Sequence, residues 1–515
     1  MTHLRRAGIL LHPTSLPGPH GSGDLGPAAF HFVDWLAAGG QTLWQILPLG
    51  GIGPGNSPYM SPSAFAGNEL LIDLSRLCEA GWLADTEIAA SVPFNDERVD
   101  YDAVRPFRRS CLRLAARRFF ADVKSGAYAD FAAFCEEERG WLEDYALFMA
   151  LAHQPGRDEK AWQEWPAEFS GRQHKALADA VRSLAGECGF WKFCQWLFDR
   201  QWAALRKYAN ARDVRIVGDI PIFVSGHSAD VWARQNLFDL DSAGWPRVVA
   251  GVPPDYFSAT GQRWGNPLYR WEEHARDGYS WWTERLRHAL KFCDVVRIDH
   301  FRGFESCWEI PADSPTAVAG RWRKGPGGKL FAGMRKALGW NIDKTAGDFR
   351  VIAEDLGIIT PEVASLRRTA GFPGMRVLQF AFDGKSENPY LPHNHEARTV
   401  VYTGTHDNDT TCGWWASLPE AQRDQVRRYF GIDGASIHWS MIRAASASVA
   451  DASIVPMQDV LGLDGTARMN RPGIAEGNWE WRFTWNQVAA WHAERLAELA
   501  RLYGRAPRRE TSAAR

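Results

Sequence analysis

Eight short apolar runs, each ending in polar or turn-forming residues, constrain the fold of this chain more than any other feature. They cover residues 8–11, 42–47, 215–218, 295–298, 351–353, 375–382, 399–402 and 453–457. Such runs, rich in β-branched residues and bounded by Gly, Pro, Asn or Asp, read as buried strands. Helical patterning separates most of them, over 28–38, 190–210, 281–292, 361–369, 419–429, 436–450 and 485–503. Eightfold alternation of strand and helix predicts an α/β fold, a (β/α)8 TIM barrel with large, mainly helical insertions. In that fold chemistry is carried at the carboxyl ends of the strands.

The spacing of the runs is uneven. Well over 150 residues separate the second from the third, and 105–123, 128–152 and 174–184 read as helices. We therefore expect one catalytic barrel domain spanning 1–515, with a mainly helical subdomain inserted at 57–205. Residues 245–271 show little apolar periodicity but hold several aromatics and prolines. A loop of that length in a compact domain is disordered or functional, and the aromatics favour a lid. Residues 321–329 read as a Gly/Pro/basic surface turn, and 505–515 as a frayed polar tail.

Charge excludes several classes of partner. The 59 basic and 61 acidic side chains leave a net charge of −2. No basic field exists to hold a nucleic acid or an anionic membrane. No apolar stretch is long enough for a membrane span, and 7–11 is too short for a signal-peptide core. The eight cysteines are scattered without C-x-x-C or zinc-ligand spacing, as in a reduced cytoplasmic protein. The 25 tryptophans suit a core or sugar stacking, and composition does not separate the two.

The run 294–303 passes from Asp294-Val295-Val296 through Arg297-Ile298-Asp299 to His300-Phe301-Arg302-Gly303. Side chains alternate along a strand, so Arg297 and Asp299 share a face. The pair is either an ion pair closing the core or an acid held ionised by its arginine. Asp219, Glu354 and Asp407 also stand at strand ends. Four carboxylates converging on one barrel mouth repel, and one should keep its proton. That is equipment for cleaving glycosidic bonds. Asn56-Ser57-Pro58-Tyr59 after the second strand and Gly477-Asn478-Trp479 after the eighth read either as packed turns or as sugar platforms. Gly21-Ser22-Gly23-Asp24-Leu25-Gly26 matches a dinucleotide fingerprint only in letters, because nine residues with three prolines separate it from the strand. Residues 325–329 lack the Ser or Thr of a P-loop. His393-x-His395 lacks a third metal ligand and reads as a solvated turn. No cofactor and no metal are expected.

Several longer motifs are more specific. They include Ser63-Ala64-Phe65-Ala66-Gly67-Asn68, Gly218-Asp219-Ile220-Pro221-Ile222-Phe223-Val224, Gly251-Val252-Pro253-Pro254-Asp255-Tyr256 and Gly261-Gln262-Arg263-Trp264-Gly265-Asn266-Pro267. Arg297-Ile298-Asp299-His300-Phe301-Arg302-Gly303, Ala353-Glu354-Asp355-Leu356-Gly357 and Gly404-Thr405-His406-Asp407-Asn408 complete the set. With them the chain resembles the 4-α-glucanotransferase (amylomaltase, or disproportionating enzyme) family over nearly its whole length, in its short form without an extra sugar-binding domain. The resemblance implies a retaining transfer of α-1,4-glucan segments to the 4-hydroxyl of an acceptor glucan or glucose. Asp299 matches the nucleophile, Glu354 the acid/base and Asp407 the carboxylate that steadies the transition state. Tyr59, Ser57, Asp219, Asp255, Trp264, Asn266, Arg297, His300 and His406 are the implied substrate-binding residues. The implied partners are α-1,4-glucans and maltooligosaccharides. Ser225-Gly226-His227 departs from what many members carry. An α-glucan hydrolase on the same barrel and a non-catalytic glucan-binding protein remain the alternatives.

Overall fold

The computed structural model describes residues 5–157, 160–254, 258–340 and 349–507. Twelve strands lie among them. They are β1 (Arg6–Leu10), β2 (Leu43–Gln45), β3 (Arg215–Pro221), β4 (Val248–Val252), β5 (Gln262–Pro267), β6 (Val295–Asp299), β7 (Ser306–Pro311), β8 (Arg321–Lys324), β9 (Val351–Ala353), β10 (Gly374–Val377), β11 (Thr399–Tyr402) and β12 (Ala452–Pro456). Eight of them form one parallel sheet in the order β10-β11-β12-β1-β2-β3-β6-β9. The sheet curls until its edges meet, where the Ala353 amide donates to Pro373 O at 3.0 Å. Asp355 fastens this seam: it accepts from the Met375 amide at 2.7 Å and faces Arg367 at 3.0 Å. The expected barrel is therefore present, with its strands in sequence order around the ring.

The strands form where buried apolar residues run without interruption. Val295, Val296 and Ile298 are at most 1% exposed, and so are Ile352, Ala353, Val400, Val401 and Tyr402. Strands buried on both faces read as continuous apolar runs, which is why they were legible. The run at 375–382 is shorter than expected. The strand stops at Val377, and Leu378–Phe380 is a 3-10 turn.

Between β2 and β3 the chain is largely helical. Asp100 caps the helix Tyr101–Ala121 by accepting from the Asp102 and Ala103 amides. The single helix expected at 128–152 is two, Gly126–Glu137 and Arg139–Ala152. At the break Glu138 turns inward and accepts from Lys291 at 2.7 Å and from the Trp141 indole. The 26-residue helix Ala185–Asn210 returns to the barrel, its buried face carrying Phe190, Trp191, Phe193, Trp196, Phe198 and Trp202. The 63–68 segment docks on it. Gln195 both donates to Gly67 O and accepts from the Gly67 amide, at 2.9 and 2.7 Å. A Cβ on Gly67 would lie 2.2 Å from the Phe198 ring.

The described residues of 245–271 are not an irregular loop. They carry β4 and β5, which join β7 and β8 in a four-stranded antiparallel sheet of order β5-β4-β7-β8. Residues 321–329, expected as a turn, supply β8 and the start of the helix Gly328–Leu338. This antiparallel arm has a small core of its own, Val249, Ile310 and Ala317.

The region from 505 is also better anchored than expected. Arg505 is fully buried and donates to Ser446 O, Ser448 O and Arg6 O at 2.7–2.9 Å, while residues 508–515 lie outside those described. Seven tryptophans (Trp44, Trp162, Trp191, Trp196, Trp202, Trp232 and Trp282) are essentially inaccessible, so much of the surplus is core. All eight cysteines are unpaired. No helix of the described residues is long and apolar enough to cross a membrane.

Candidate active site

The site is built at the carboxyl ends of β3, β6, β9 and β11, where the parallel strands release their last side chains into one mouth. Arg297, whose side chain is 3% exposed, is its central cation. It donates to Asp219 Oδ2 at 2.6 Å and to Asp299 Oδ1 at 3.0 Å. The alternation of β6 thus puts the arginine and the last aspartate on one face, and the neighbouring β3 supplies the second carboxylate.

Tyr59 extends the array across the barrel. Its hydroxyl lies 2.8 Å from Asp219 Oδ2 and 2.8 Å from His406 Nε2. The tyrosine donates its one hydroxyl proton to Asp219 and so takes its second bond from the imidazole. His406 Nε2 is in turn 3.5 Å from Asp407 Oδ2. A continuous polar chain therefore runs Asp299, Arg297, Asp219, Tyr59, His406, Asp407. The rings of Tyr59 and His406 stack at 5.3 Å. Burial and the neighbouring carboxylates push the Tyr59 phenol well above its ordinary value, and burial pushes His406 below its own.

Glu354, one residue beyond β9, is held from both sides. Its Oε2 accepts from the His300 amide at 2.7 Å and its Oε1 from the Leu356 amide at 2.8 Å. The His300 amide donates to it from a left-handed backbone, φ 52°. Of the six described non-glycine residues with positive φ, three (Asn56, His300 and Trp479) adjoin this mouth. Such strain gathers where surrounding structure enforces it, often at functional sites.

Asp299 and Glu354 are both raised, each with Arg297 opposing the rise. Burial raises Glu354, with Arg297 and two backbone donors opposing it. Burial also raises Asp299, to about 8, with Arg297 opposing and Glu354, Asp219 and Asp407 adding repulsion. Two acids raised together share a proton at neutral pH. Asp299 touches a guanidinium and keeps 27% of its side chain exposed, whereas the Glu354 residue is 9% exposed and none of its hydrogen bonds comes from a cation. Both differences favour the charge on Asp299 and the proton on Glu354.

The structure brings Tyr59, Asp219, Arg297, Asp299, Glu354, His406 and Asp407 together. Trp264 on β5 reaches them through His300, whose ring it meets edge-on at 4.8 Å. Ser57 does not join them by its side chain: its Oγ accepts from the Tyr59 amide at 3.2 Å and caps the turn Pro58–Met60 that presents Tyr59. Asn266 is buried, with its Nδ2 on Val224 O at 2.9 Å, tying β5 to the segment after β3. Asp255 lies outside the described residues.

Sequence reasoning missed three neighbours. Asn470 Nδ2 donates to Asp407 Oδ1 at 2.6 Å, and the Arg468 guanidinium to Asp407 O at 2.5 Å. His12 is buried beside His406 and held neutral, its value pushed down to about 3. Asn470 and Arg468 come from the irregular segment after β12, where no pattern marks them. Trp479, left open between packing and a platform, stands 5.7 Å from the Tyr59 ring and 5.9 Å from His406.

The other motifs resolve into packing. Arg108 is fully buried and binds His20 O, Ser22 O and Asp24 at 2.9–3.1 Å, which makes 21–26 a tied turn. His395 is buried rather than solvated, with one ring nitrogen on Ser448 Oγ and the other on Tyr390 O.

Comparison with known proteins follows this geometry. The profile of a family described as 4-alpha-glucanotransferase matches residues 11–487. The 4-alpha-glucanotransferase of Thermus thermophilus is 50% identical over 504 residues, covering 96% of this chain and 98% of that protein. The chloroplast and amyloplast 4-alpha-glucanotransferase of Arabidopsis thaliana is 44% identical over 512 residues, covering 97% and 86%. The structure of amylomaltase from Streptococcus agalactiae in complex with acarbose superposes with a TM-score of 0.93 at 37% identity, covering 98% of this chain and all of that one.

Proposed function

The chain belongs to the 4-alpha-glucanotransferase family and is an enzyme of that type, and from that premise we propose that it moves α-1,4-glucan segments by a retaining double displacement. An Asp299 oxygen attacks the anomeric carbon of a bound glucan. The bond to the departing 4-oxygen breaks, and that oxygen takes the proton of Glu354. A glycosyl ester on Asp299 results. Glu354, now ionised, takes the proton of an acceptor's 4-hydroxyl as that oxygen attacks the ester. The C–O bond to Asp299 breaks, and both carboxyls return to their starting states. In such a mechanism the two carboxyl groups stand about 5–5.5 Å apart.

The observation that carries this reading is the unequal setting of two coupled acids. Asp299 is salt-bridged to Arg297 at 3.0 Å, while Glu354 is buried and bonded only by backbone amides. One is fitted to be a nucleophile and the other to hold and return a proton. Asp407, steadied by Asn470 and His406, is assigned to the hydroxyls of the reacting sugar. The Tyr59 ring is assigned as its platform. Maltooligosaccharides are the donors, and glucans or glucose the acceptors. The antiparallel arm bearing Trp264 walls the cleft, keeping water out while an acceptor binds.

Incubation with maltotriose, with the products resolved by chain length, tests the proposal. Glucose together with oligomers longer than maltotriose is the expected result. Glucose and maltose alone would make the enzyme a hydrolase, and unchanged maltotriose would make the protein a binder.

A further inference from the structure

Trp162 belongs to the helical insertion, far in sequence from every carboxylate of the site. It is fully buried, yet it is not simply one more core side chain. Its indole N–H donates to Gly226 O at 2.8 Å, and its amide donates to His227 Nδ1 at 3.1 Å. Both acceptors lie in the Ser225-Gly226-His227 stretch after β3. The other edge of the ring lies against Gly244. A Cβ there would come within 2.3 Å of the indole, and Gly244 has φ +86°. The next residue, Gln163, donates to Gly244 O at 3.1 Å.

Gly244 is the pivot of the turn that opens the arm. Asp241 Oδ1 closes that turn by accepting from the Ala243 and Trp245 amides at 2.9 Å, and β4 begins three residues later. The arm is tied to the same stretch after β3 from its other end. Asn266 on β5 donates to Val224 O at 2.9 Å, and the Tyr269 hydroxyl donates to Ile222 O at 2.8 Å. Carbonyls at 222, 224 and 226 are thus taken by side chains from the far end of the arm segment and from the insertion. The segment between Gly244 and Asn266 carries Trp264 to the His300 ring.

We propose that Trp162 is a positioning residue for the transfer reaction: it clamps the base of the antiparallel arm to the segment after β3 and so fixes Trp264 beside the reacting centre. This rests on the reading of the arm as a wall of the acceptor side. Glycosyl-enzyme chemistry has two possible acceptors, a sugar hydroxyl and water. A wall displaced by a fraction of an ångström weakens the hold on the sugar without touching the carboxylates.

Trp162→Phe keeps most of the ring but loses the indole donor, and His227→Ala removes the second acceptor. Both are compared with the wild type on maltotriose. Growth in reducing ends reads hydrolysis, because transfer leaves their number unchanged, while loss of maltotriose reads total turnover. The expected result in each variant is a hydrolysed fraction about threefold to tenfold higher, a raised KM for added glucose as acceptor, and a turnover number little changed. Hydrogen exchange over β4 and β5, measured without substrate, should be about tenfold faster. A merely structural role would lower Tm and leave the hydrolysed fraction and the acceptor KM unmoved, and that outcome in both variants overturns the proposal. If the wild type itself fails to transfer, the functional reading falls, and unaltered exchange in the variants then overturns the clamp as well.

Discussion

At the scale of single residues, Arg297 decides the electrostatics of the site. The alternation of a strand sufficed to pair it with Asp299, but its shorter contact is to Asp219, at 2.6 Å, on the neighbouring β3. The barrel expectation put the third and fourth strands side by side and Asp219 at the same mouth, but it did not single out Asp219 as the arginine's nearer partner. Arg297→Ala leaves a buried carboxylate without its cation and should cost about 3–5 kcal/mol of stability in a denaturant titration. Arg297→Lys should recover part of the stability but little turnover, because a point charge cannot serve both carboxylates as the fork does. The acids also set the pH response. The pair keeps a proton above the ordinary carboxyl range, and that proton sits on Glu354, so kcat/KM should fall as pH rises beyond that range and the proton for the leaving group is lost. Between the ordinary carboxyl range and the raised range of the pair the folded chain binds more protons than the unfolded one, so the pair lowers stability as pH rises. The thermal midpoint of Asp299→Asn should therefore fall less between pH 5 and pH 8 than that of the wild type.

At the scale of elements, the barrel was legible and the arm was not. The eight barrel strands are buried on both faces, and each gives a continuous apolar run such as Val295-Val296 or Val400-Val401-Tyr402. The arm strands are two-faced. Val248–Val252 is interrupted by Gly251, and Arg321–Lys324 exposes most of its residues. The strand that joins them, β7 at 306–311, is separated from β4 by β6, so no local pattern announces the sheet. Glu138 shows the same limit, since its inward turn is held by Lys291, far away in sequence. Close approach within the barrel wall gives a sharper test. A Cβ on Gly218 of β3 would lie 2.2 Å from Cys293 Sγ and 3.1 Å from its Cβ. Gly218→Ala should cost about 1–3 kcal/mol. Adding Cys293→Ala should recover part of that loss, because the nearer atom is gone and the farther remains.

At the scale of the whole molecule, a closed parallel barrel gathers residues more than 300 positions apart into one hydrogen-bonded array. Tyr59 and His406 meet at 2.8 Å only because β2 and β11 end at the same mouth. The carboxylates Asp299, Glu354 and Asp407 were legible as strand-end residues, and the resemblance supplied their roles. Asn470 and His12 were invisible because their importance comes only from closure of the ring. The central claim is that this closure makes Asp299 a nucleophile and Glu354 its acid and base. Glu354→Gln treated with an α-maltosyl fluoride, whose leaving group needs no acid, then acid-quenched and digested, tests it most directly by mass spectrometry. The account predicts a glycosyl adduct that accumulates on the peptide bearing Asp299, because the base for the second step is missing. An adduct on the peptide bearing Asp219 or Asp407, or turnover with no adduct, would contradict it.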